Sequence, residues 1–567
     1  MPRKTLLALL LGSLVAVAHA DAPDHARRDR DRAEGRLLHA PTLSIALSAG
    51  QFSAMLSASS SGQALLALSS DGSDTLSCGV AVYHYDYDTV DGRGRPATAS
   101  GALMLPTGSA AACAGARPLL EYAHGTNLQR SYDLAALNDP GNPAFGESAL
   151  IASMYAAHGY IVVAPNYVGY DTSNVDYHPY LVKKQQASDM IDALRAARHA
   201  LALLRERDDD SDALAPPPHP DGKFFLTGYS QGGYVALATE QAMQQRGMPV
   251  TAASPGSGPY ALAALVDYIF LGHPDLGAPQ LGSLLVEAYQ HSYGNVYSAP
   301  SQLFADKLYT PLPYASAGAA ASSPLAPTLP MFQLAAPSVG DVERLPGDAG
   351  PGALGTLQAV FPATVPSYVS AISPDPGVIA PAVWTGLFDT SGGNPPYDAF
   401  GSGFAPLWAG YFSSGTELIT QRYRADYLAD AVLNPDGLFT ATTGLPTNTA
   451  TNGLRKDLAA NDLRGYKPAY PTMLCGGIAD PIVYYPLDTQ VMQQEWGAPT
   501  PTLFSLDVDA APAASGPAAA FAPIQQSFAR WKLDTALSSG PQAVVASYHG
   551  TVAGYCARAA RGFFDQF

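Results

Sequence analysis

Hydrophobic positions along the first 260 residues follow two rhythms. From Cys78 onward Val80, Val82, His84 and Asp86 alternate with Ala81, Tyr83, Tyr85 and Tyr87 as far as Asp91-Gly92. A period of two predicts a strand, and Gly101 to Pro106 reads as its antiparallel return. Short apolar runs at Pro118 to Ala123, Tyr160 to Pro165, Lys223 to Thr227 and Val250 to Ala253 predict further strands. Helical patterns at Ser148 to His158, Lys184 to Arg205 and Gln231 to Arg246 separate them. In the second of these, Ala187, Met190, Ile191, Leu194 and Ala197 recur at spacings of three and four. Strand and helix in alternation predict an α/β fold, a mostly parallel sheet with helices on both faces.

The alternation stops near Gly258 and resumes near Pro468, and the chain between is rich in Pro, Gly, Ala, Ser and aromatic residues, with a low-complexity piece from Ala315 to Pro327. A stretch that long without periodic structure reads as an insertion, a cap over residues 261–467. Its aromatics, Trp384, Phe388, Trp408, Tyr411 and Phe412, suit either an acyl-binding wall or the cap's own core, and Tyr397 suits a surface position equally well. After the cap, strand Thr472 to Leu474, helix Pro486 to Trp496, strand Ala543 to Tyr548 and helix Cys556 to Phe564 are expected, with a second insertion at Ala498 to Gly540. The division is then a first core part at 75–260, the cap at 261–467 and a second core part at 468–567. Residues 21–74, with the cluster Arg27, Arg28, Asp29 and Arg30, read as a mobile leader.

Composition narrows the compartment and the partners. The chain of 567 residues carries a formal charge of -17, and a basic face for phosphate is not expected, so nucleic acid is excluded as a partner. Arg3 and Lys4 precede the apolar run Leu6 to Ala18, and Ala18-His19-Ala20 supplies the small residues of a cleavage site. Residues 1–20 are therefore expected to be a signal peptide cut after Ala20, which implies a secreted or periplasmic protein. The run is too short to span a bilayer, and no stable membrane span is expected later in the chain.

The chemistry concentrates at Gly228-Tyr229-Ser230-Gln231-Gly232, a G-x-S-x-G motif with the apolar strand Phe224 to Leu226 before it and an Ala-rich helix after it. That setting predicts a nucleophile elbow, in which Gly228 and Gly232 let the chain turn sharply and Ser230 stands at a helix N-terminus. A serine hydroxyl needs a base, and the base an orienting acid, in the chain order Ser, acid, His. Asp480 lies in the loop after strand Thr472 to Leu474, whereas Asp488 is expected inside the next helix facing solvent, so Asp480 is the preferred acid. Of the 12 histidines, His549 is the only one after Asp480, and it is the expected base. The backbone N–H groups of Thr126 and Gln231 are expected to form the oxyanion hole, with His124 packed to hold the loop. No metal site, phosphate loop or dinucleotide fingerprint is recognised, and no cofactor is expected.

The runs AHGTN, VVAPNYVGYD, GYSQGG, GGIADPIV and YHG resemble the α/β-hydrolase superfamily, and within it the secretory lipase family of yeasts and bacteria. The resemblance covers about residues 78–260 and 468–567. It implies an eight-stranded hydrolase sheet, Ser230, Asp480 and His549 as the triad, and hydrolysis of a small-molecule ester or lipid through an acyl-enzyme. The motifs alone leave open a serine peptidase acting on small peptides and an inactive hydrolase fold used for binding. The four cysteines permit three pairings; proximity along the chain and the adjacency of the predicted strands favour Cys78 with Cys113 and Cys475 with Cys556.

Overall fold

A computed structural model describes residues 35–70, 76–208, 216–270, 275, 277–304, several positions between 419 and 431, and 450–567 apart from 540. The expected signal peptide, the start of the leader, and the cap residues Ala315 to Pro327, Trp384, Phe388, Tyr397, Trp408, Tyr411 and Phe412 lie outside the described residues.

Nine strands form one sheet in the order β1-β2-β3-β5-β4-β6-β7-β8-β9. These are β1 (Thr42–Leu47), β2 (Gly79–Val90), β3 (Pro96–Thr107), β4 (Ala116–Ala123), β5 (Ile161–Pro165), β6 (His219–Tyr229), β7 (Ala252–Gly256), β8 (Thr472–Gly476) and β9 (Leu503–Asp507). The first three pair antiparallel, β3 joins β5 antiparallel, and every later pairing is parallel. The β2–β3 hairpin is fixed at its turn by Asp91, whose carboxylate accepts the N–H groups of Arg93 at 2.9 Å and Arg95 at 2.8 Å. The central parallel strands β5 and β7 are buried along their whole length, as a sheet covered on both faces demands.

The sheet departs from the eight strands expected: the segment read as a mobile leader and the stretch read as a second insertion each supply an edge strand, while the strand expected at Ala543 to Tyr548 is helical. Within 35–70, β1 pairs with β2, and two helices follow, α1 (Ala49–Ser57) and α2 (Ser60–Ser69). Ser48 and Gln51 form a reciprocal capping box at the start of α1, and Ser59 caps α2 through the Gly62 N–H at 3.1 Å. Phe52, Leu56 and Leu66 are buried in the main core. The Arg and Asp cluster upstream dominated the composition of this stretch, while the strand and the serine caps that order its later half are short, local signals.

The last two differences fall in the second core part. The stretch read as an insertion at Ala498 to Gly540 contains β9, the sheet's far edge, and helix α10 (Ala522–Ser539). The expected strand Ala543 to Tyr548 and the expected terminal helix are one continuous helix, α11 (Pro541–Phe564). Val544, Tyr548, Val552, Cys556, Ala559 and Phe563 are buried at helical spacing along it, and that long-range stripe outweighs the β propensity of Ala-Val-Val-Ala-Ser-Tyr. Helix α11 packs against β6, β7 and β8. The remaining helices among the described residues are α3 (Phe145–Met154), α4 (Lys183–Asp208), α5 (Gln231–Gln245), α6 (Leu262–Phe270), α7 (Ala278–Tyr293), α8 (Gly453–Asn461) and α9 (Thr489–Trp496). Disulfides join Cys78 to Cys113 and Cys475 to Cys556, the pairings expected from the sequence.

If 35–70 is integral to the core, truncating Phe52, which is fully buried, is expected to cost about 3 to 5 kcal/mol of unfolding free energy. Urea denaturation of Phe52→Ala measures it; a change under about 1 kcal/mol would mean that the segment is dispensable to the fold.

Candidate active site

The elbow begins with a steric demand. β6 ends at Tyr229, and helix α5 starts at Gln231, leaving Ser230 alone to reverse the chain at φ 59° and ψ -123°. A non-glycine residue there is strained, and its backbone N–H is fixed by the Gly256 carbonyl at 2.9 Å. A Cβ at Gly228 would stand 2.4 Å from the Gly232 carbonyl oxygen, and one at Gly232 would stand 1.9 Å from the Ala123 carbonyl oxygen. Both positions therefore need glycine so that β4, β6 and α5 can approach one another.

Asp480 sits in the loop after β8, fully buried, with Oδ1 accepting the N–H groups of Ile482 at 3.0 Å and Val483 at 3.1 Å. Its Oδ2 lies 2.7 Å from Nδ1 of His549. The proton on this bond is assigned to Nδ1, because a carboxylate only accepts. His549 Nε2 is then left as an acceptor, buried and without a hydrogen-bond partner among the described residues. The ring is held by its own backbone as well, since the Tyr229 hydroxyl donates to the His549 carbonyl at 2.6 Å. His549 rides on helix α11, not at a strand end as expected, and the Cys475–Cys556 disulfide ties that helix to β8.

Asp488 is not the solvent-facing residue expected. It stands at the residue before α9 without bonding the N–H groups of that helix, is fully buried, and accepts the Ala261 N–H at 3.0 Å. Burial drives its pKa well above the ordinary carboxyl range, and the nearby Asp462 adds to this.

Ser230, His549, Thr126, Gly125 and Glu147 line one cleft of about 510 Å³. Gln231 follows the serine at the α5 N-terminus. The sequence signalled these residues except Glu147, which proves to organise the loop bearing Thr126. Its Oε1 accepts the Gly125 N–H at 2.9 Å and the Tyr122 hydroxyl at 3.0 Å, and its Oε2 accepts the Tyr132 hydroxyl at 2.5 Å. His124 packs beneath, fully buried, stacked on Tyr167 at 4.0 Å and on Tyr132 at 4.5 Å between ring centres. Burial lowers its pKa.

His178 is a second residue that the sequence did not signal. Burial holds its pKa down to about 3, so the ring is neutral. With Nδ1–H donating to the Val168 carbonyl at 2.8 Å, Nε2 accepts from the Gln231 side-chain amide at 2.6 Å. The side chain next to Ser230 is thereby clamped from beneath. Neither Glu147 nor His178 had a legible partner, because each is defined by groups that are distant in the chain.

His84, Asp133 and Asp171 bring ligand-type atoms within 4.8 Å of one another. Their contacts are those of a hydrogen-bonded ion pair: His84 Nε2 to Asp171 Oδ2 at 2.8 Å, and the Ser100 hydroxyl donating to the same oxygen at 2.7 Å. Burial alone would lower the His84 pKa, but the Asp171 hydrogen bond and the charges of Asp133, Asp171 and Asp86 lift it to about 9.

No family model matches the sequence, and no curated protein matches it. Among solved structures the chain is similar to the rice cell wall degrading esterase LipA from Xanthomonas oryzae. The ligand-bound form is 24% identical over 94% of this chain and 98% of that one, with a TM-score of 0.54. A second LipA crystal structure is 25% identical over 91% and 98%, with a TM-score of 0.52. A protein from Legionella pneumophila is 17% identical over 89% of this chain and 99% of that one, with a TM-score of 0.50.

The His84 pair sets a pH dependence whose sign follows from its raised pKa. Its stabilisation is complete below the unfolded value of about 6.5 and is lost as pH rises through about 9. His84→Gln is expected to lower stability at pH ~6.5 and to shrink that deficit by pH ~9.5, measured by urea melts across that range. A deficit independent of pH would contradict it.

Sheet order, strand directions, the strand-to-helix elbow and these likenesses together make the chain an α/β-hydrolase in fold.

Proposed function

We propose that this α/β-hydrolase is an exported serine hydrolase of carboxylic esters, akin to the secretory lipases. The observation that carries the reading is the pairing of Asp480 with His549 Nδ1 at 2.7 Å, which leaves Nε2 unpartnered in the cleft that Ser230 also lines. The esterase likeness supports the substrate class, and the two disulfides suit an oxidising compartment. Residues 261–467 are taken as the cap, and of its described part Gly277 and Leu281 line the cleft.

The chemistry runs in two halves. Ser230 Oγ attacks the ester carbonyl while His549 Nε2 takes its proton. The tetrahedral oxygen receives hydrogen bonds from the Thr126 and Gln231 backbone N–H groups, the second at the positive end of α5. His549 then gives the proton to the departing alkoxide, and the carbon–oxygen bond to the alcohol breaks to leave an acyl-Ser230 ester. Water attacks that ester with His549 again as base, the acid leaves, and Ser230 regains its proton. Asp480 keeps the imidazole in the tautomer that presents Nε2 and stabilises it when charged. Glu147 and His178 act through others: one holds the Gly125–Thr126 loop, the other holds Gln231.

Ser230→Ala is expected to fold normally and to lose a factor of about 10³ to 10⁶ in turnover of nitrophenyl esters, together with all labelling by a fluorophosphonate. Mass spectrometry of the labelled wild type should place the adduct on Ser230. A variant that kept a tenth of the activity would remove Ser230 from the role, and amide turnover exceeding that of the matched ester would favour a peptidase.

A further inference from the structure

Two cavities of unequal size meet at Ser230. The first is the cleft of about 510 Å³ that holds Thr126, Glu147 and His549. The second is a slot of about 60 Å³ running from Ser230 and Gln231 between α6 and α7, walled by Leu262, Leu265, Val266, Ile269, Leu281 and Leu285. Leu281 and Ile482 border both. His549 lines the cleft and is not among the residues of the slot. Asp275 is the one charged member of the slot wall among the described residues, and its Oδ1 accepts the Gly277 N–H at 2.7 Å.

Reaction geometry assigns each cavity its half of the ester. The tetrahedral carbon carries four groups: Ser230 Oγ, the oxyanion, the leaving oxygen and the acyl chain. The oxyanion lies toward the Thr126 and Gln231 N–H groups. The leaving oxygen must reach His549 Nε2 to be protonated, so the alcohol occupies the cleft. The acyl chain takes the remaining direction, which is the slot beside Ser230 and Gln231. A single water needs ~10 to 15 Å³ measured this way, so the slot admits roughly four to six small atoms. The cleft is several times larger.

We propose that the substrates are esters of short carboxylic acids, from acetyl to about hexanoyl, with bulky alcohols whose apolar part meets Leu150, Leu281, Ile482 and Ala553 in the cleft. The inference rests on the ester-hydrolase reading above and names its substrate class. Long-chain acyl groups are excluded from the slot by Leu262, Leu265, Val266 and Ile269 on α6, opposed by Leu285 on α7. A hydrophobic pocket that is overfilled loses binding steeply per methylene, so the cut-off is expected to be sharp.

The test uses the full-length exported protein and two ester series, with fluorophosphonate titration of Ser230 to count working sites. With nitrophenol as the fixed alcohol, kcat/KM is expected to peak between acetate and hexanoate and to fall roughly tenfold or more by decanoate. With butyrate as the fixed acid, kcat/KM should rise from methyl to naphthyl and menthyl esters. Leu265→Ala is expected to move the acyl optimum to longer chains and leave the order of alcohols unchanged. Leu265→Phe, an independent variant in case the first fails to fold, should confine turnover to acetate and propionate. Full labelling with an optimum at dodecanoate or longer overturns this inference alone. So does a Leu265 variant that reorders alcohols and not acids. No labelling and no turnover of any ester overturns the hydrolase reading, and this inference with it.

Discussion

Three backbone segments meet at the elbow at distances that exclude any side chain, and the site is built outward from that contact. The Ala123 carbonyl oxygen at the end of β4 would lie 1.9 Å from a Cβ at residue 232 and 2.5 Å from one at residue 228. Because both are glycine, β6 and α5 close onto β4, and the strained Ser230 stands between them. Such strain persists only where the surroundings over-determine it. Here the Gly256 carbonyl holds the Ser230 N–H, the Gly233 position presses on Gly256, and the parallel ladder between β6 and β7 fixes Gly256 beside Tyr229. The same approach brings the loop after β4 beside the start of α5, so the Thr126 loop and Gln231 converge because the strands do.

Burial of two aspartates shows how hydrogen bonding decides what a carboxyl can do. Asp480 and Asp488 are both fully inaccessible. Asp480 accepts two backbone N–H groups on one oxygen and faces an imidazole N–H with the other, so every direction of its charge is answered. Asp488 has one backbone N–H on Oδ1 and no partner on Oδ2 among the described residues, and its pKa rises accordingly. A group kept protonated holds no imidazolium. In the sequence Asp480 stands out for a different reason, its loop position, and Asp488, expected to face solvent, is instead buried. An aspartate at a helix start is ambiguous in sequence, since that position occurs both in solvent and against the core.

What could be read ahead of the structure was local and steric. The elbow, its flanking strand and helix, the hairpin and the parallel alternation are each written in a few adjacent residues. The order Ser230, Asp480, His549 needed only counting. What escaped were features made by distant partners. The helical setting of His549 depends on a buried stripe running to Phe563, and the helix swallows a β-branched pair that locally favours a strand. β1 exists because β2 offers an edge, and nothing in Thr42 to Leu47 states that an edge is near. Glu147 reads as an ordinary acidic residue in the first turn of a helix, yet its three donors come from Tyr122, Gly125 and Tyr132.

The same long-range bonding fixes the wall of the slot. Helix α6 begins with two buried carboxyls at its N-terminus, Asp488 on the Ala261 N–H and Asp462 on the Ala263 N–H at 3.0 Å each. Two buried charges side by side would repel, and the arrangement divides the roles: Asp462 pairs with Arg464 at 2.9 Å, while Asp488 is driven toward its neutral form. Asp488 comes from the second core part and Asp462 from the end of the 261–467 stretch, where Asn461 beside it accepts the Tyr234 hydroxyl of α5 at 2.6 Å and the Lys183 N–H of α4 at 2.8 Å. The start of α6 is therefore anchored to the elements that carry the elbow, so Leu262, Leu265 and Val266 stand at distances from Ser230 set by the core. A slot whose wall is anchored in this way takes its shape from the resting fold, and under the proposed reading acyl selection would follow from that anchoring.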